Sequence, residues 1–370
     1  MKKQIPTRRD RTTESAARRA TTGAERGSRR SGGRSRALLG LVIALAVITL
    51  SACGGGSSSS AGGGPSGGVD GKSVIMVGCP DLNPWCAVYT KTIKTDLTKA
   101  GAKVEHLQDP FDVAQQVQNL QSAIASRPDL ILLAPTDDNS LVPSIQQAKA
   151  QNIPVIIINS MPAPQAEDNV ASTINADQAA LGTYAAQNIV EGMKAEGLDG
   201  GNIVAITGAD ATATSGDRMK AFKAELKKNP GFDLVEEKNG NWDPALTGKI
   251  ASQLFAQYES KGGIQGAYGM ADYQANAIIQ SAEQAGIPVG VDKKGLIVSG
   301  SNCFKVGIDN IKNGLQYGTA TQAPDAEGDF VVEYTTKFLE GEDIPKVNLN
   351  TENRVTKANL AEFEAGCSIA

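Results

Sequence analysis

From position 73 onward, short runs of apolar and β-branched residues alternate with longer segments whose apolar residues recur at helical spacing, the pattern of parallel βαβ units. Strands are predicted at 73–77, 104–107, 130–133, 155–158 and 171–174, with helices at 88–100, 113–126 and 141–151 between the first four. A long helix over 178–196 opens a second series, with strands at 203–206, 233–237, 266–268 and 296–299. Its helices fall at 215–229, 245–261, 273–285 and 306–313, and a strand at 317–321 and a helix at 325–340 follow. Two series of similar size predict an α/β fold of two doubly wound parallel-sheet lobes. In such sheets ligands bind beyond the carboxyl ends of the strands, so facing lobes would enclose one cleft.

The first 70 residues depart from this pattern. Residues 1–36 hold twelve Lys or Arg against Asp10, Glu14 and Glu25, and an uncharged run, ALLGLVIALAVITL, occupies 37–50. That run is shorter than the roughly 20 apolar residues needed to cross a bilayer. A basic leader, an apolar middle and small residues at the cleavage point read instead as a secretory signal over 1–52. Leu50-Ser51-Ala52-Cys53 resembles the bacterial lipobox, which implies acylation of Cys53 and a lipid anchor at the outer face of the cell membrane, each buried CH₂ adding about 0.8 kcal/mol. The pairs Arg8-Arg9, Arg18-Arg19 and Arg29-Arg30 leave the export route, Sec or twin-arginine, open. Residues 53–71, almost wholly Gly, Ser, Ala and Pro, form a flexible tether. Removing 52 residues and nine positive charges from a 370-residue chain of net charge −4 leaves 318 residues at about −13. So acidic a chain lacks the clustered basic face that nucleic acid demands.

Enzymatic and metal chemistry find little support. His106 is the single histidine and falls inside a predicted strand, which leaves the commoner zinc sets and histidine-dependent nucleophiles without a partner. No GxGxxG or GxxxxGK[ST] follows the first strand of either half. Neither cofactor nor metal is therefore expected. Asp137 with Asp138, or Asp210 with Asp217, could converge as paired carboxylates, but acids in such loops more often cap helices. Apart from Cys53, the cysteines are Cys79, Cys86, Cys303 and Cys367, an even number suited to an oxidising compartment. Of their three pairings, Cys79 with Cys86 and Cys303 with Cys367 is preferred, because the first pair brackets one loop and the second would pin the C-terminal tail.

Tryptophan is scarce. Trp85 follows Asn83-Pro84 after the first strand, and Trp242 lies in Asn241-Trp242-Asp243 after a strand of the second half. Two indoles at matching places on opposite lobes suit a sandwiched ligand with CH faces and a polar edge. These and other runs carry a family resemblance over about 73–344: Ala134-Pro135-Thr136-Asp137, Ile153 through Asn159, Ile174-Asn175-Ala176-Asp177 and Thr319 through Pro324. The chain resembles the type I sugar-binding proteins of ABC importers, the ribose and glucose/galactose branch. The resemblance implies lobes made of 72–175 plus 322–349 and of 176–321 plus 350–370, joined by three crossings. It implies stacking by Trp85 and Trp242 and hydrogen bonds to ligand hydroxyls from Asn83, Asn159, Asn302 and Gln322, with Asp210, Arg218 and Asp272 as further ligand-binding candidates. It also implies a monomer, a membrane permease as partner and no enzymatic activity. Departures lie at the expected pocket: Asn159-Ser160 stands where the ribose branch has Asp-Arg, Gly216 where it has Arg, Ala134 and Ala271 where it has Asn, and Asn302 where it has Asp. They argue for a solute other than ribose, a monosaccharide or polyol being expected. A secreted hydrolase and a chemoreceptor-coupled binding protein are the alternatives.

Overall fold

The computed structural model describes residues 68–367. The expected signal segment, the acylation site at Cys53 and the 53–67 part of the tether lie outside the described residues.

The first half runs β1 (Ser73–Val77), α1 (Pro84–Lys99), β2 (Lys103–Leu107), α2 (Val113–Ala125), β3 (Leu130–Leu133), α3 (Val142–Ala150), β4 (Val155–Ile158) and β5 (Ser172–Ala176). The second runs α4 (Gln178–Ala195), β6 (Gly201–Thr207), α5 (Ala213–Leu226), β7 (Phe232–Asn239), α6 (Pro244–Tyr258), β8 (Gly266–Gly269), α7 (Asp272–Gln284), β9 (Ile297–Ser299), α8 (Lys305–Lys312) and β10 (Gly318–Ala320). The chain ends in α9 (Pro324–Leu339), β11 (Val347–Asn350), β12 (Arg354–Thr356) and α10 (Leu360–Phe363). Two sheets result, in the orders β11-β5-β4-β3-β1-β2 and β12-β10-β9-β8-β6-β7. All pairings are parallel except that of β12 with β10.

The apolar runs explain this arrangement. β3 (LILL) and β4 (VIII) are buried along their whole length, as strands covered on both faces must be. Each sheet accordingly has two core clusters, one holding Ile93, Leu132 and Val331 and its opposite holding Leu120, Ile131 and Ile157 in the first lobe. The helices start where sequence chemistry supplies a cap. α1 begins at Pro84, four residues before the predicted start, because the Asn83 Oδ1 accepts from the Trp85 and Cys86 amides and proline suits the first helical position. Trp85 thus sits in a first helical turn, not in the loop expected for it.

The chain passes between the sheets three times: after β5, between β10 and α9, and between β11 and β12. α9 returns to pack on α1. β11 and β12 are absent from the predicted pattern. β11 is an edge strand with Val347 and Leu349 exposed and only Asn348 deeply buried, so its alternation runs opposite to a core strand's. Cys79 is disulfide-bonded to Cys86 and Cys303 to Cys367.

Candidate functional site

Loops from the carboxyl ends of both sheets meet around one cavity, open to the centres of water-sized molecules over about 60 Å³, room for several waters or one small solute. The first lobe lines it with the Cys79–Cys86 disulfide, Asn83, Trp85, Phe111, Ala134, Pro135, Thr136 and Asn159. Opposite stand Thr212, Thr214, Arg218, Trp242, Tyr273 and Asn302, with Gln322 from the second crossing. Phe111, Asn159, Trp242 and Asn302 hold φ of 56°, 52°, 57° and 84°, left-handed values that side chains rarely adopt and that gather at functional sites.

The two indoles are fixed differently. The Trp85 ring is buried against Tyr89, with centroids 4.4 Å apart, and its Nε1 donates to the Gln322 carbonyl at 3.0 Å. Trp242, half-buried, packs against Gly208, where an added Cβ would stand 1.9 Å from the indole Cε2. Its ring is 5.5 Å from the Arg218 guanidinium carbon, a cation–π contact.

Among the described residues Arg218 is the sole charged one of the lining, and it is wholly buried. Its Nε donates to Gln178 Oε1 at 2.7 Å, Nη1 to the Met270 carbonyl at 2.8 Å and Nη2 to Gln322 Oε1 at 2.6 Å. Burial lowers its pKa, opposed by Tyr268, Tyr273 and Glu352. A guanidinium only donates, so the Gln322 atom facing it is oxygen, and the Asn302 atom facing that oxygen at 2.5 Å is nitrogen. Asn302 Oδ1 is therefore turned away, buried and without a protein partner among the described residues. Gln322 Nε2 in turn donates to Asn159 Oδ1 at 3.3 Å, which frees Asn159 Nδ2 as a donor. The chain of amides so leaves one acceptor, the buried Asn302 Oδ1, and one donor, Asn159 Nδ2, uncommitted on two residues that line the cavity.

Two of the expected ligand-binding residues lie elsewhere. Asp210 is exposed, outside the lining, and accepts from Thr207 Oγ1 at 3.3 Å. Asp272 is fully buried behind the wall: its carboxylate accepts from Gln316 Nε2, Thr319 Oγ1 and the Phe304 amide at 2.7, 2.9 and 2.9 Å. Burial lifts its pKa to about 7 in spite of these bonds. It holds together the loop that carries Asn302 and does not face the cavity. Phe111, Thr212, Thr214 and Tyr273 line the cavity without having been singled out in the sequence. Tyr273 follows Asp272 in α7 and its hydroxyl accepts from Asn83 Nδ2 across the cleft at 3.1 Å. Among the described residues no cluster of His, Cys, Asp and Glu could hold a metal ion, and no helix is long and apolar enough to cross a membrane.

Two α/β lobes with an aromatic-walled cavity at their strand ends have the architecture of a solute-binding protein. Residues 74–343 match the family model of the periplasmic binding protein domain, and the chain belongs to that family. It is similar to the xylitol-binding protein of Mycolicibacterium smegmatis, 24% identical over 250 residues that cover 67% of each chain. It is 21% identical over 306 residues to the ribose import binding protein of Bacillus subtilis, covering 83% of this chain and 94% of that one. An ABC transporter solute binding protein from Mycobacterium smegmatis, solved with bound glycerol, shares the fold with a TM-score of 0.71 at 21% identity, covering 79% of this chain and 96% of that one.

Proposed function

We propose that the chain is the extracytoplasmic receptor of an ABC importer, that it is held to the membrane by lipid on Cys53, and that it closes as a monomer around one neutral polyhydroxylated solute. The lobes are assigned to 72–175 with 322–349 and to 176–321 with 350–370, and the three crossings between them act as the hinge. Trp85 and Trp242 press on the CH faces of the solute, while Asn83, Asn159, Arg218, Asn302 and Gln322 address its hydroxyls.

The observation that carries this reading is the buried, partnerless Asn302 Oδ1 and the uncommitted Asn159 Nδ2 on residues that line the same cavity. An acceptor and a donor in one cavity suit a hydroxyl, which does both. A carboxylate would satisfy the donor and leave the buried acceptor facing a like partial charge. The sugar and polyol names of the relatives support the same class. A closed form with extra interlobe contacts is what a permease would select.

The test is a thermal-shift screen of the purified protein against pentoses, hexoses, pentitols, inositols and small organic acids. A neutral polyol or sugar should raise the melting temperature through mass action. The double variant Trp85→Ala, Trp242→Ala should abolish that rise. A screen in which only organic acids stabilise the protein would overturn the neutral-solute reading.

A further inference from the structure

The neighbouring acids Asp137 and Asp138, on the loop between β3 and α3, do not converge on the cavity; they part. Asp137 Oδ1 accepts from the amides of Asn139 and Ser140, closing its own turn. Asp138 points to the other lobe. Its Oδ1 accepts from Ser160 Oγ at 3.0 Å, and its Oδ2 accepts from the backbone amide of Ala213 at 2.6 Å.

Ala213 is the first residue of α5, and a first-turn amide has no acceptor within its own helix. The α5 cap, Thr212, serves the Ser215 amide and leaves that of Ala213 to whatever approaches from outside. What approaches is an anionic side chain of the opposite lobe, buried at the positive end of the helix dipole, where charge-assisted bonds are strong. One residue on, Thr214 Oγ1 donates to the Asn159 carbonyl at 2.8 Å, so two bonds across the cleft seize the same turn. That turn and the next carry Thr212, Thr214 and Arg218, all of which line the cavity. Asp138 does not.

We infer that Asp138 is a positioning residue of the solute site: by capping α5 from the opposite lobe, it holds the closed form and aims the α5 side chains at the solute. Ser160 orients the carboxylate for this task. The inference rests on the two-lobed receptor reading, and because the Ala213 bond spans the cleft its test is run both without solute and with the sugar or polyol that stabilises the protein in the thermal-shift screen.

The experiment is residue-resolved amide hydrogen exchange on the full chain and on its Asp138→Ala and Asp138→Asn variants. Ala213 should exchange about tenfold faster in Asp138→Ala than in wild type, the effect of losing one charge-assisted hydrogen bond. Asp138→Asn keeps an acceptor oxygen and should stay within about threefold of wild type. Amides deep in α1 and α4, at Ile93 and Ile189, should be unchanged in all three, which separates positioning from general loosening. Equal exchange at Ala213 in wild type and Asp138→Ala under both conditions, or equal acceleration at Ile93 and Ile189, would overturn the inference. If no sugar or polyol binds and Ala213 still depends on Asp138, the solute reading fails and the capping role stands. Binding without that dependence gives the reverse.

Discussion

At Asn302 the buried acceptor lacks a donor, and the deficit is fixed two side chains away by the guanidinium of Arg218. Replacing Asn302 by Leu removes both the bond to Gln322 and the acceptor. Solute affinity should fall by tenfold or more, about 1.5–3 kcal/mol, in isothermal titration. Trp242 is held by what its neighbour lacks. Gly208→Ala puts a methyl group into the indole, so it should weaken binding to an extent comparable with Trp242→Ala, read as loss of solute-induced fluorescence change. Much at this scale is legible in the sequence, since scarce indoles and loop amides stand out, and Asn83, Trp85, Asn159, Arg218, Trp242, Asn302 and Gln322 do meet at one cavity. Asp210 and Asp272 misled for a shared reason. An acid just past a strand looks the same whether it faces a ligand or ties loops together, and only three-dimensional partners distinguish the cases.

Among elements, the loop between β9 and α8 depends on a neighbour from another helix. Asp272, at the start of α7, gathers that loop and β10 through its three accepted bonds, and Gly300 and Gly307 leave room for it: a Cβ on either would lie within 2.3 Å of its carboxyl. Asp272→Ala should cost about 3–5 kcal/mol in urea unfolding, since it strands several buried donors. The Cys303–Cys367 bond closes a sequence separation of 64 onto the same region. Its removal by double serine substitution should cost about 4 kcal/mol on the chain-entropy estimate. Strong apolar runs made the central strands readable to within a residue or two. The start of α1 was obscured because its cap, Asn83-Pro84, precedes the apolar period by a full turn. β11 and β12 were obscured because short edge strands bury few side chains and so leave little periodicity.

For the molecule as a whole, the crossings carry an unusual charge arrangement. Glu327, in the first turn of α9, and Glu352, between β11 and β12, are both deeply buried, with Asn350 Nδ2 donating to the first and Thr321 Oγ1 to the second. Burial raises both carboxyls above their usual range, and Glu327 raises Glu352 further, while Arg218 pulls both down. The folded chain therefore keeps a proton there that the unfolded chain, with carboxyls near 4.5, releases. That contribution is whole below the unfolded value and is lost as pH rises through the elevated folded values, so the melting temperature should decline from mildly acidic toward alkaline buffer. Glu352→Gln should flatten the decline; an unchanged slope would count against a shared proton. Scattering should report a smaller radius of gyration once the proper solute is added.

The order of strands also sets a timetable for assembly. One outer strand of the first sheet is Val347–Asn350 and one of the second is Arg354–Thr356, so both sheets wait for segments made after the rest of their strands. Neither half can finish alone, and pairings between residues some 170 positions apart, such as Thr173 with Val347, imply slow, late consolidation. A nascent chain stopped at Gly341 would thus be two unfinished halves, each with a raw border exposed to aggregation, rather than one sound half and one damaged one.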